Sequence, residues 1–212
     1  MALIRINDFI SSINKKGVLK DNKYVVSFRL PNYLQTNAIS IFNGINSSFL
    51  LSLRCENASI PGLQFASVDG PPRFGYGPIE YNPYNVVYED ITLTFLLDSD
   101  SEIHKIFYDW MNTIVNFHAQ GQSLIGSANA AKGPVSGMAP YEVGYKDDYI
   151  TDLKVEVYPD ANYDKASMEL IAYRAFPKSV TPLNLNWSDG QPLKLQVVMT
   201  YTDFEINYPN KA

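Results

Sequence analysis

The clearest pattern of apolar and polar positions runs from Asp90 to Phe117. Ile91, Leu93, Phe95 and Leu97 alternate with Thr92, Thr94 and Leu96, the period-two signature of a half-buried strand. The turn Asp98-Ser99-Asp100-Ser101-Glu102 follows. Ser99 with Glu102 three residues on reads as a capping box, and the acids suit the positive end of a helix dipole. Ile103, Ile106, Phe107, Trp110, Met111, Ile114 and Val115 then recur at helical spacing and form one apolar stripe. The pattern predicts one helix over about 99–117, packed against sheet.

The remaining periodicity is that of strands. Tyr24, Val26, Phe28 and Leu30 share a face, and Pro31 ends that strand. Another strand is expected over Phe49–Arg54. Thr151, Leu153, Val155 and Val157 alternate with Asp152, Lys154, Glu156 and Tyr158, so one face is wet. Ala166, Met168, Leu170 and Ala172 form one face of the next strand, with Pro177 as its stop. A long last strand runs from Leu193 to Thr202. The fold class is therefore mainly β: an antiparallel β-sandwich or barrel with one flanking α-helix and long loops.

Between these elements lie an N-terminal arm (1–22), a polar uncharged stretch (32–48) and a Gly-, Ser- and Ala-rich insertion loop (118–140). A Gly-, Pro- and Tyr-rich stretch spans 62–90, with the whole of 1–212 as a single domain. The 62–90 stretch is expected to be an extended aromatic loop covered by a partner, with a self-packed Ω-loop as the plainer alternative.

Composition narrows the classes. A formal charge of −5 argues against ordinary nucleic-acid binding, which needs clustered cations. One cysteine, Cys55, excludes an intramolecular disulfide framework. Met1–Gly17 has no apolar run of signal-peptide length. Leu30–Leu53 is uncharged but too interrupted by polar residues to span a membrane, so a cytoplasm-like compartment is expected.

Little in the chain has the spacing that chemistry requires. His104 sits on the polar side of the helix and His118 follows its end, neither beside a Ser or Cys nucleophile. Cys55 has no basic cluster to lower its pKa. Gly121–Gly126 has phosphate-loop glycine spacing, but Ser127 and Ala128 stand where Lys and Ser or Thr belong. Gly75-Tyr76-Gly77 opens no βα unit. Asp147, Asp148, Asp152, Glu156, Asp160 and Asp164 gather acid, which reads as a wet sheet face rather than a divalent site. The sequons at Asn46, Asn57 and Asn186 lack a secretion signal. No catalytic, cofactor-binding or metal-binding residue is assigned.

From Cys55 onward the sequence resembles the tail tube proteins of contractile-tailed bacteriophages. The resemblance rests on Cys55, Ala58, Ile60-Pro61-Gly62, Phe74-Gly75-Tyr76-Gly77-Pro78, Asp90, Leu93-Thr94-Phe95, Phe107 and Trp110. It continues through Tyr145, Asp148-Tyr149, Tyr173-Arg174-Ala175-Phe176-Pro177, Leu185, Trp187 and Val197–Phe204. Stretches 32–48 and 118–140 are longer than a minimal tube subunit. The same fold family includes baseplate tube-initiating proteins and the tube components of related injection machines.

The resemblance implies a structural protein without catalysis or cofactor. Six-membered rings of it would stack into a hollow tube within a virion tail, assembled in the host bacterial cytoplasm. Sheath, baseplate and tape-measure proteins would be its partners, and DNA would pass through the lumen without specific binding. Ring closure removes exposed sheet edges, and head-to-tail stacking of rings gives an open polymer. The bore is expected to be lined by polar strand faces on which acids outnumber bases. A baseplate tube-initiating or tube-capping role fits the same resemblance, and a secreted injection-system ring protein is a further reading. An effector or enzyme on this fold and an unrelated β-sandwich binding module are the readings from other classes.

Overall fold

The computed structural model describes residues 6, 10, 11, 13, 17–31, 34, 35, 51, 52, 54–70, 75, 77–115, 143–159, 165–187 and 190–209. Nine strands and two named helices fall among them. In chain order they are β1 (Tyr24–Phe28), β2 (Cys55–Ala58), β3 (Leu63–Asp69), β4 (Tyr81–Tyr88), β5 (Ile91–Leu96), α1 (Glu102–Ile114), α2 (Lys146–Tyr149), β6 (Thr151–Val157), β7 (Met168–Val180), β8 (Lys194–Thr200) and β9 (Asp203–Asn207).

Seven strands make one antiparallel sheet in the order β1-β6-β7-β8-β5-β2, with β9 added on β7. The long strand β7 belongs to both halves. Its first part pairs with β6 and β9, and Phe176–Val180 pairs with β8. Arg174, at φ 55, marks the change of partner. Its backbone N–H donates to Asp152 Oδ1 at 3.0 Å, which fixes an otherwise costly left-handed residue. Pro177 does not stop the strand. It sits opposite Met199 beside a register shift, where a missing N–H breaks no regular ladder.

The two sheet halves share one core, a sandwich-like arrangement rather than a closed barrel. β5 supplies Ile91, Leu93 and Phe95, and β8 supplies Leu195, Val197 and Met199, all buried. Helix α1 closes this core. Phe107 lies with its ring centroid 5.2 Å from Phe95 and 6.0 Å from Trp110, and Phe28 lies 6.0 Å from Trp110. The Trp110 indole N–H donates to the Tyr149 carbonyl at 2.7 Å, so its one polar atom is satisfied. A buried aromatic of this size is worth about 3–5 kcal/mol against alanine, a large part of the ~5–15 kcal/mol that holds a typical domain. Gly144 passes so close to α1 that a Cβ there would meet the Thr113 carbonyl at 2.6 Å.

Several boundaries differ from the sequence pattern. Helix α1 spans Glu102–Ile114 rather than about 99–117, and Val115 already pairs with Val143. No Ser99–Glu102 capping box forms. Ser101 takes the cap position at φ 54 without a side-chain bond, and Asp98 Oδ1 instead accepts the Glu102 N–H at 3.2 Å. Asp98 also pairs with Arg54. Burial pulls its carboxyl upward, but the Arg54 hydrogen bond and the Glu102 N–H outweigh that and hold it low.

Leu51, Ser52 and Arg54 are helical, so the strand expected over Phe49–Arg54 starts only at Cys55. Stretch 62–90 is the hairpin β3–β4 rather than an irregular loop. In the N-terminal arm, Ile6, Ile10, Ser11 and Ile13 are helical, and Gly17 at φ 70 donates to the Ile13 carbonyl. The 118–140 insertion and most of 32–48 lie outside the described residues.

One buried group sits uneasily in α1. Among the described residues, Asp109 Oδ1 and Oδ2 and Asn112 Oδ1 have no hydrogen-bond partner. Burial pushes the Asp109 carboxyl up to about 6. A carboxyl raised above its unfolded value stabilises the fold only while protonated. That contribution is complete below about pH 4 and is lost as the pH rises through about 6. Urea unfolding should therefore show stability falling across this window. Asp109→Asn should remove that part of the slope, on the order of 1–2 kcal/mol after allowing for solvent screening. An unchanged slope in the variant would refute the assignment.

Candidate assembly surfaces

The residues that carry potential chemistry are dispersed. His104 stacks on Tyr108 with ring centroids 6.1 Å apart on the outer side of α1. Cys55 is half-buried at the start of β2, its Sγ 3.4 Å from the Asn57 carbonyl. Burial pushes its thiol up to about 12, so it is not a thiolate at neutral pH. Asp147 pairs with Arg174 at 2.9 Å, while Glu156 and Glu169 hold Lys154 between them at 3.1 and 2.7 Å. Among the described residues no three His, Cys, Asp or Glu side chains come together to hold a metal ion. His118, Gly121–Gly126, Asn46, Asp160 and Asp164 lie outside the described residues.

Surfaces carry more information. Among the described residues, hairpin β3–β4 pairs with no other strand. On one face Leu63 opposes Tyr88 and Phe65 opposes Val86. On the other Gln64 opposes Val87 and Ala66 opposes Asn85. Both faces are exposed: β4 has no buried residue. Leu63, Phe65, Val68, Tyr81 and Tyr84 are each more than half exposed. Such a strand pair cannot hold itself in water by packing alone, and its root holds it to the body. There Tyr88 meets Phe204 edge-on at 5.7 Å and Tyr201 at 6.2 Å. The Tyr201 hydroxyl donates to the Glu89 carbonyl at 2.7 Å, and Lys178 pairs with Asp90 at 2.7 Å. Gly62 lets the chain pass the Glu89 carboxylate, which a Cβ would meet at 2.8 Å. Burial, then the charge of Asp90, pushes the Tyr201 hydroxyl up to about 12, so it remains a donor at any physiological pH.

The outward face of β1, β6, β7 and β9 forms a second surface. Asp152, Glu156, Glu169, Asp203 and Glu205 project there, with Lys154, Arg174 and Lys178 as the bases among these strands' outward residues. Five carboxylates against three bases leave the face net acidic, and two of those bases are already paired, Arg174 with Asp147 and Lys178 with Asp90. The outward face of β5 and β8 is different: Thr92, Thr94, Gln196, Val198 and Thr200 are neutral, with Lys194 tied to Glu56 at 2.7 Å. A third feature is the unbonded margin of the sheet. β1 and β2 end the strand order and, among the described residues, do not pair with each other; the Tyr24 hydroxyl donates across the gap to the Cys55 carbonyl at 3.1 Å.

A model of the phage tail tube protein family matches residues 19–207. The chain belongs to the phage tail tube protein family. Solved structures agree on the fold of this tail tube chain. A chain of the anti-feeding prophage baseplate superposes with TM-score 0.58 at 9% identity, covering 91% of this chain and 97% of that one. A chain of the PVC sheath–tube complex, from an extracellular contractile injection system in its extended state, gives 0.55 at 14% identity, covering 93% and 97%. A chain of the anti-feeding prophage tube-terminating cap gives 0.51 at 11% identity, covering 90% and 91%. No curated protein matches the chain.

Sequence reading placed Trp187 in a turn and in the family resemblance but did not read its exposure: its side chain is fully exposed in the β7–β8 connection. The one available signal was a large aromatic in a polar turn, where no periodicity directs it inward. For the tail tube hairpin, the root contact is testable. Tyr201→Phe should cost about 1 kcal/mol and speed proteolytic cutting within β3–β4. Cutting at the wild-type rate would show that the Tyr201 hydroxyl does not hold the root.

Proposed function

We propose that this protein is the tube subunit of a contractile phage tail: six copies close into a ring, and rings stack into the conduit for DNA and tape-measure protein. Sheath and baseplate proteins are its other partners, and the tail is built in the host cytoplasm and carried in the virion. The observation that carries this reading is the pairing of an exposed apolar hairpin with a sheet whose edges are open, in a chain of the tail tube family. A sheet left open at its edges invites pairing with other chains, and ring closure satisfies those edges in a defined way. The hairpin is then an arm to the neighbouring subunit or ring.

The acidic face of β1, β6, β7 and β9 is the natural wall of the bore. A polyanion adheres to lysine and arginine and slides past carboxylates. A reconstruction of the assembled particle should find Glu156, Glu169 and Glu205 facing the lumen. A bore lined mainly by bases would overturn that assignment.

A second reading, a baseplate initiator or tube cap, is favoured by the likeness to the baseplate and cap chains. Electron microscopy of the purified protein at rising concentration separates the two. Long tubes are the expected outcome, whereas discrete rings that never elongate would favour the initiator or cap. The double variant Phe65→Ser/Tyr84→Ser should keep the wild-type melting temperature to within a few degrees and lose assembly, because it alters only exposed positions.

A further inference from the structure

We propose that the groove under the β7–β8 connection receives the hairpin β3–β4 of a second copy. This rests on the tube-subunit reading above and names the surface on which the arm lands.

The groove encloses about 1160 Å³. Thr94 and Gln196, on the neutral outward face of β5 and β8, are part of its floor. Pro182, Leu185, Trp187 and Pro192 contribute to its walls. The connection is held in place where it leaves β7: the Thr181 N–H and hydroxyl both donate to the Gln196 carbonyl, at 2.9 and 3.0 Å. Leu185 is 84% exposed and Trp187 is fully so. Small-molecule sites are enclosed clefts of roughly 300–1,000 Å³. This one is larger, shallow and walled by an indole and two prolines, a form suited to a polypeptide.

Three observations select a second copy as that polypeptide. The first is area. Nine exposed apolar side chains between Leu63 and Tyr88 present roughly 900 Å² if a large aromatic offers ~150–250 Å², which is on the scale of the ~800 Å² that one partner gives to a standard interface. The second is charge. Lys194, the charged residue among those lining the groove, is already paired with Glu56 at 2.7 Å, which leaves a seat without unmatched charge for an apolar arm. The third is shape. A projecting two-stranded arm and a recess elsewhere on the same chain make a heterologous contact, which propagates into closed rings or open helical polymers.

The test uses the full chain. A benzophenone amino acid replaces Tyr84 in unlabelled copies, which are mixed with ¹⁵N-labelled wild type and irradiated after assembly. The expected crosslinked peptide is a labelled one from 181–196. In parallel, Trp187→Asp should raise the critical concentration for assembly at least tenfold at an unchanged melting temperature, and Trp187→Phe should restore assembly to near wild type. If wild type assembles while crosslinks fall elsewhere, or Trp187→Asp assembles normally, the groove assignment is overturned and the tube reading stands. If wild type does not assemble at any concentration, the tube reading itself fails.

Discussion

Trp110 is where helix, sheet and returning chain meet. Its ring packs against Phe107 and Phe28, and its indole N–H reaches the backbone at Tyr149. This contact ties α1 to the start of β6 and so to the acidic half of the sheet. Without it the apolar stripe of α1 would have no fixed seat, and the inward faces of β5 and β8 would open to water. The outer surfaces depend on this core, because a sheet can present a flat polar face outward only if its other face is buried.

Strand β7 turns that core into two different outer surfaces. At Arg174 it leaves the strands that carry Glu156 and Glu205 and joins those that carry Thr94 and Gln196. One strand therefore links an acidic face to a neutral one. In the proposed tube these become a wall past which a polyanion slides and a seat for a neighbouring subunit. The same chain keeps a third class of surface, the apolar hairpin, outside its core altogether.

How much of this was legible depended on whether one face of an element is buried. α1 stood out because Ile103, Ile106, Phe107 and Trp110 all turn inward, and β5 because Ile91, Leu93 and Phe95 do. Hairpin β3–β4 was obscured because both its faces are exposed, so no alternation separates Leu63 and Phe65 from Gln64 and Val68. The start of α1 was misread because its cap depends on Asp98, which is engaged by Arg54 from 44 residues earlier in the chain. Pro177 read as a stop because a register shift at that point is a property of the pairing with β8, not of the local residues. Trp187 carried a signal of composition but none of period. The acidic face was legible as a wet face, although only the register of β6, β7 and β9 brings its carboxylates together.

Cys55 bears on durability. A lone sulfur kept protonated by its surroundings is a poor nucleophile near neutral pH. In the proposed tube, thiolate exchange between copies through that sulfur is therefore disfavoured. Mechanical resilience in such a particle has to come from repetition: many copies, each held by ordinary reversible contacts, failing together or not at all.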